Sequence, residues 1–180
     1  MTTDHQHILN FWFRDITPKS WWTKDDAFDE RIKREFGAIH QAASRCELAA
    51  WRETAGGRLA EIIILDQFSR NMFRGQAAAF AQDSLALALT QEALRQETEK
   101  ALNENERPFL LMPYMHSESQ IIHRQAIEVF TKWAPGNLDF EHKHKAIIDR
   151  FGRYPHRNEA LGRSSTKEEL EFLQQPGSSF

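Results

Sequence analysis

The amino-acid sequence predicts an all-α fold, and three observations predict it. Apolar residues recur at helical spacing, most plainly Phe28, Ile32, Phe36, Ile39 and Ala43. Strand signals are scarce, with little strict alternation and no Asn-Gly hairpin turn. Glycines and prolines fall between the periodic runs, at Pro18, Gly56 and Gly57, Gly75, and Pro135 and Gly136.

Taken in order, a first helix is expected over 4–13, with Ile8, Leu9, Phe11, Trp12 and Phe13 as its apolar side, and His5 and His7 at a mobile end. A loop from Pro18 to Asp25 carries Trp21 and Trp22, which should dock on the core. The second helix, 26–44, has Asp25 and Asp26 as capping residues. A short helix over 47–53 ends at the Gly56–Gly57 break, and Cys46 before it reads as a small packed side chain. A third helix is expected over 58–74; its β-branched run Ile62–Ile64 suits a buried strand, but its length and the lack of flanking strands favour helix. Gly75 serves as its C-terminal cap.

A fourth, Ala/Leu-rich helix covers 77–96, and 103–113 reads as a polar connection entering an apolar segment. A fifth helix covers 117–133 and a sixth 139–151, with His142 and His144 on its surface. A basic irregular segment follows over 152–163. The last helix starts near Thr166, where Ser165 and Glu168 have capping-box spacing, and the tail from Pro176 is expected to fray.

A chain of 180 residues suits a single domain, 1–180, large enough to bury a core. Its 13 Phe and 5 Trp argue against disorder. A net charge of −3 argues against nucleic-acid binding. One cysteine excludes an internal disulfide and a Cys-based zinc cage. The stretch Met1–Phe13 lacks the charge and apolar length of a targeting signal, and no run approaches the ~20 apolar residues of a membrane span. A cytoplasmic protein with neither membrane nor nucleic-acid partners is expected, and nothing in the sequence sets its oligomeric state.

Three polar blocks carry the chemistry. In the first, LDQFSRNMFR over 65–74, helical geometry puts Asp66, Gln67, Arg70, Asn71 and Arg74 within one arc of about 140°. A solvated face would favour Lys and Glu; this one carries groups suited to directed hydrogen bonds. Asp66 and Arg70 stand at i,i+4 and can pair. The arc is either a wall that receives an anion or a semi-buried network tying two helices. In the second block, MHSESQIIHR over 115–124, His116, Gln120, His123 and Arg124 share a face. His116 and His123 lie about 10 Å apart along a helix axis, too far for shared metal ligation, so no metal is expected. His116 suits acid–base chemistry instead. The third block places Arg150, Arg153, Arg157 and Arg163 in a loop ahead of a helix start, with His156 and Asn158 among them. It reads as an anion cradle or as a clamp of salt bridges to Asp149, Glu159 and Glu168. Walker, G-x-G-x-x-G and G-x-S-x-G patterns are absent.

These blocks, with Phe11–Phe13, Trp21 and Trp22, Phe28 and Asp29, LDQFSRN over 65–71, Met112 and Pro113, His116–Glu118, FGRYPHRN over 151–158, Leu161–Arg163, and Ser165 and Thr166, resemble the bacterial family called domain of unknown function 924. Tyr154 stands where that family often has Phe. The resemblance implies a tetratricopeptide-like right-handed superhelix of stacked antiparallel helices, although the 34-residue repeat consensus is not visible in the chain. It implies no reaction.

Asp66, Arg70, His116, Glu118, Arg153, His156 and Arg157 are therefore expected in one neighbourhood. His116, Glu118, His156 and Asp66 are the candidate catalytic groups. Gln67, Arg70, Asn71, Arg74, Gln120, Arg153, Arg157, Asn158 and Arg163 are the candidate ligand contacts. The expected partner is an anionic small molecule or an acidic peptide, and no cofactor is expected. Acid–base catalysis on an anionic substrate and a purely structural network with a protein-interaction groove both remain open.

Overall fold

The computed structural model describes residues 4–179, so Met1–Thr3 and Phe180, which belong to the expected 1–180 domain, lie outside it. The described residues form helices and turns and no strand. The α-helices are α1 (His5–Asn10), α2 (Asp26–Ser44), α3 (Ala55–Ile63), α4 (Ser69–Met72), α5 (Asp83–Arg95), α6 (Arg107–Met115), α7 (Gln120–Trp133), α8 (Leu138–Phe151) and α9 (Lys167–Leu173). Among the described residues no helix is long and apolar enough to cross a membrane.

Local chemistry sets most of these boundaries. Asp25 caps α2 as expected, its Oδ1 accepting from the Ala27 and Phe28 amides at 2.9 and 3.2 Å. Gly56 and Gly57 do not break the chain; they form the first turn of α3, capped by Thr54. The last helix is capped by the Thr166–Glu169 box, one residue later than the Ser165–Glu168 reading. The stretch read as a polar connection, 103–113, holds most of α6, which runs on to Met115. Pro108 fits a helix start, where no amide partner is lost, and Pro113 is tolerated because 109–115 is buried throughout. The first expected helix ends as a π-helical turn, Phe11–Asp15, and the long third one contains another, Ile64–Phe68.

Other expectations need correction. His5 and His7 belong to α1, where His7 packs edge-on against Phe36 at 5.4 Å. Cys46 is exposed, with φ of 60°, because it lies in the turn that ends α2. His144 is buried, whereas His142 is exposed as expected. Trp21 packs beside Trp12 and Phe109, but Trp22 is largely exposed and covers Phe109 with one ring face. The tail turns back at Ser178, which is buried and donates to the Leu173 carbonyl at 3.2 Å.

The core forms in three adjoining parts. The first gathers Ile8, Phe11, Trp12, Ile32, Phe36, Ile62, Ile63 and Phe68. Each such side chain contributes about 1.5–3 kcal/mol on full burial. The second, around Leu111, Tyr114, Met115, Ala126 and Phe130, joins α6 to α7. The third is Ile147, Ile148 and Tyr154. Helix α6 links the first two, with Phe109, Leu110 and Met112 in one and Leu111, Tyr114 and Met115 in the other. Gly152, at φ of 68°, ends α8 in the left-handed conformation and releases the chain into the 152–163 segment. That segment returns over the C-terminal end of α6.

Candidate functional site

The π-helical turn Ile64–Phe68 sets the centre of the site by placing Asp66 in the interior, fully buried. Such turns widen a helix locally and recur at functional positions. Asp66 Oδ1 accepts from Arg70 Nη1 at 3.0 Å and faces His116 Nδ1 at 2.7 Å, and its Oδ2 accepts from Gln67 Nε2 at 2.7 Å. Burial alone would raise this carboxyl, but Arg70 and His116 outweigh it and hold it well below the usual carboxylate range. Asp66 is therefore a permanent anion and Nδ1 of His116 carries the hydrogen between them.

His116 is the C-cap of α6 and keeps 16% of its side-chain exposure. Burial and the Arg70 charge lower its proton affinity, against the opposing pull of Asp66. The imidazole is thus neutral, and its Nε2 is a bare acceptor with no hydrogen bond among the described residues.

Two arginines complete the centre. Arg70 grips Asp83, the first residue of α5, with Nη1 and Nη2 each 3.0 Å from a carboxylate oxygen. Arg157 donates to the same Asp83 at 3.1 Å and to the His116 carbonyl at 3.0 Å. Its guanidinium lies 4.6 Å from the Phe80 ring centre and 4.5 Å from that of Tyr154. Such contacts suit a weakly hydrated planar cation. Burial and Arg70 lower the Arg157 proton affinity, and its Nε is buried without a hydrogen-bond partner.

A second network adjoins the first. Both Glu118 oxygens accept from Arg163, at 2.6 and 2.9 Å, and Oε1 also accepts from the Tyr154 amide at 2.7 Å. Burial works against this carboxylate, but Arg163 and the amide prevail and hold it below its ordinary value. Glu118 thereby fixes the returning segment. Arg163 also donates to Asn158 Oδ1 at 3.0 Å, and Asn158 donates to Ser165 Oγ at 3.0 Å. His156 lies beside Tyr154, with ring centres 5.5 Å apart. Burial and Arg157 lower its value to about 4.

The structure brings together Asp66, Gln67, Arg70, His116 and Arg157, with Glu118, His156, Asn158 and Arg163 adjoining. Other expected members face elsewhere. Asn71 and Arg74 donate to Asp29 of α2, at 2.7 Å and at 2.6 and 2.9 Å. Arg153 turns to Glu169 at 2.6 and 2.8 Å and to the Ser164 carbonyl at 3.0 Å. Gln120 reaches the Ile148 and Asp149 carbonyls, each at 3.4 Å. Arg150 pairs with Glu168, as the salt-bridge reading anticipates.

Sequence reasoning passed over Asp83, Phe80 and Tyr154. Asp83 begins an Ala/Leu-rich helix and reads there as an ordinary acidic first-turn residue. It also passed over a buried pair, His123 with Glu141 at 2.7 Å. Burial pushes the Glu141 carboxyl up despite His123, and its Oε2 has no hydrogen-bond partner. Among the described residues no group of three or more His, Cys, Asp or Glu is placed to hold a metal ion.

A family model described as a bacterial protein of unknown function, DUF924, matches residues 8–177. A solved structure, described as the protein of unknown function ATU0120 from Agrobacterium tumefaciens, is 38% identical. It superposes with a TM-score of 0.90, over 94% of this chain and 96% of that one. A comparison with curated proteins finds no match.

Proposed function

The chain belongs to the bacterial family of unknown function DUF924, and on that premise we propose that it binds a small anionic molecule over Arg70 and Arg157 and moves a proton through His116. The His116–Asp66 pair at 2.7 Å carries this reading. A buried carboxylate that takes the Nδ1 hydrogen fixes the tautomer and aims the Nε2 lone pair outward, as a general base requires. Lowered proton affinity keeps that lone pair available near neutral pH.

Arg70 and Arg157 supply the electrostatic half of the site. Their charges balance Asp66 and Asp83, so an incoming carboxylate or phosphate binds by taking the place of Asp83. Asp83 is the member suited to yield, because its side chain keeps 17% exposure whereas that of Asp66 keeps 1%. Glu118, bonded through both oxygens, positions the Tyr154–Arg163 segment instead of moving a proton.

A second reading, in which the network only ties helices together, draws on one observation: Arg70, Arg153, Arg157 and Arg163 each have a carboxylate partner. Titration of inorganic phosphate, sulfate and succinate separates the two, with the His116 ring resonances and the melting midpoint as readouts. Saturable movement of the His116 signals, with a rising midpoint, supports the anion site. If all three anions leave both readouts unmoved, in the native chain and in Asp83→Asn, the tying role stands alone.

A further inference from the structure

A cavity of about 440 Å³ lies against α2, and none of its lining residues belongs to the proposed acid–base site. Its walls include Gly37, His40 and Gln41 of α2, Phe73 after α4, and Ala81 and Gln82 before α5. The volume falls in the range of about 300–1,000 Å³ typical of ligand pockets. No Asp, Glu, Lys or Arg lines it.

Gly37 is the first unusual feature. It sits in the interior of a 19-residue helix, where glycine costs about 1 kcal/mol relative to alanine. Neither backbone geometry nor close packing requires it: its φ is not positive, and a Cβ there would meet nothing within 4 Å. The missing side chain leaves the cavity open.

His40 is the second. It is 7% exposed, and its Nε2 lies 2.7 Å from Ser69 Oγ. The Ser69 hydroxyl spends its one hydrogen on the Leu65 carbonyl at 2.6 Å. The serine oxygen therefore accepts from His40, and Nε2 carries the proton. Burial lowers the His40 proton affinity, so the ring is neutral and Nδ1 is an acceptor. Nδ1 has no hydrogen bond among the described residues, and neither do the side-chain amides of Gln41 and Gln82. Phe73 packs edge-on to His40 at 5.4 Å and forms an aromatic wall.

We propose that this cavity binds an uncharged planar heterocycle of the nucleobase type, whose ring N–H donates to His40 Nδ1 and whose donor–acceptor edge meets the Gln41 and Gln82 amides. A carboxylate or phosphate would lose its hydration here with no cation in return. A plain hydrocarbon would leave the imidazole nitrogen and the half-buried Gln82 amide unpaired, whereas the exposed Gln41 amide has water as its alternative partner. A flat, neutral ring with polar edges satisfies all of them and covers Phe73.

The test is a titration of adenine, followed by backbone amide resonances, in the native chain, Gly37→Leu and Gly37→Ala. Benzoate, planar but charged, is the control. Adenine is expected to shift Gly37, Gln41, Phe73, Ala81 and Gln82 saturably, while benzoate leaves them unmoved. Gly37→Leu, which fills the cavity, should weaken adenine by more than about tenfold, or about 1.4 kcal/mol. Gly37→Ala adds one methyl and should weaken it less; it serves alone if the leucine variant does not fold. The proposal is overturned if adenine shifts none of these residues, if filling the cavity leaves its affinity unchanged, or if benzoate binds equally well. Shifts centred on His116 would also overturn it, because they would place adenine in the other site.

Discussion

Arg70 and Arg157 share one carboxylate. Both donate to Asp83, at 3.0 Å and 3.1 Å, although Arg70 comes from α4 and Arg157 from the segment after α8. A single side chain thus joins the two halves of the polar centre. Asp83→Asn keeps the shape and removes the charge, leaving two adjacent guanidinium groups with Asp66 beside Arg70 and Glu118 near Arg157. The variant should lose about 3 kcal/mol of stability, in line with breaking a buried pair. Sulfate should restore part of it, and the sulfate-dependent rise in melting midpoint should exceed that of the native chain. An equal rise in both proteins would show that Asp83 does not occupy an anion position.

Tyr154→Phe tests how the returning segment is held. The Tyr154 hydroxyl donates to the Met115 carbonyl at 2.5 Å, and its ring packs against Arg157. Phenylalanine keeps the ring but loses this bond and the 3.2 Å contact of the hydroxyl with His123 Nε2, so the cost should be about 1–2 kcal/mol in chemical denaturation. Tyr154→Ala removes the ring as well and should cost about 3–5 kcal/mol. Similar losses for the two would mean that the hydroxyl, not the ring, holds the segment.

How far the sequence reveals this centre follows from where helical geometry is regular. Helices α2 and α8 appear close to their predicted limits because their apolar spacing and caps are local signals. Helix α6 was hidden by Pro113, whose local penalty is outweighed by burial of the whole segment. The 66–74 arc was read at a constant turn per residue, but the π-helical turn breaks that regularity. It sends Asp66 and Gln67 inward, while Asn71 and Arg74 meet Asp29. The Asp66–Arg70 and Arg150–Glu168 pairs are legible from spacing, but the partners of Asp83 are not: nothing near it in the sequence indicates two arginines from other segments, one of them 74 positions away.

Acid should destabilise the protein in two stages. Burial holds His144 at about 3 and His156 at about 4, below the ordinary histidine value. The unfolded chain binds these protons near pH 6.5 and the native protein does not, so the stability is fully present above about 6.5 and is lost as pH falls. At pH 5, His144 alone costs about 2 kcal/mol. Glu169 has the opposite sense of partnership: Arg153 beside it lowers its carboxyl to about 2, although burial works the other way. Its contribution persists above about pH 4.5 and disappears toward 2. Melting midpoints should therefore fall from about pH 6.5 and more steeply below about 4.5. A midpoint unchanged between about pH 8 and 5 would contradict the buried neutral histidines, and His144→Asn should flatten the upper part of the curve.

Gly57 and Gly37 make opposite claims about glycine in a helix. A Cβ on Gly57 would lie 2.0 Å from the Trp51 carbonyl oxygen, a backbone atom that can move only with the turn before α3. That turn is tied to α3 by Arg52, whose Nε and Nη2 each lie 2.7 Å from a Glu61 oxygen. Gly57→Ala must therefore shift the turn, strain this half-buried pair, or unwind the first turn of α3. It should cost about 3 kcal/mol, the upper part of the range for overpacking. Gly37→Ala meets open space and should gain about 0.5–1 kcal/mol from helix propensity alone. Parallel urea titrations measure both. If Gly57→Ala left stability unchanged or raised it, the close approach of Trp51 to α3 would not be the reason for glycine at 57.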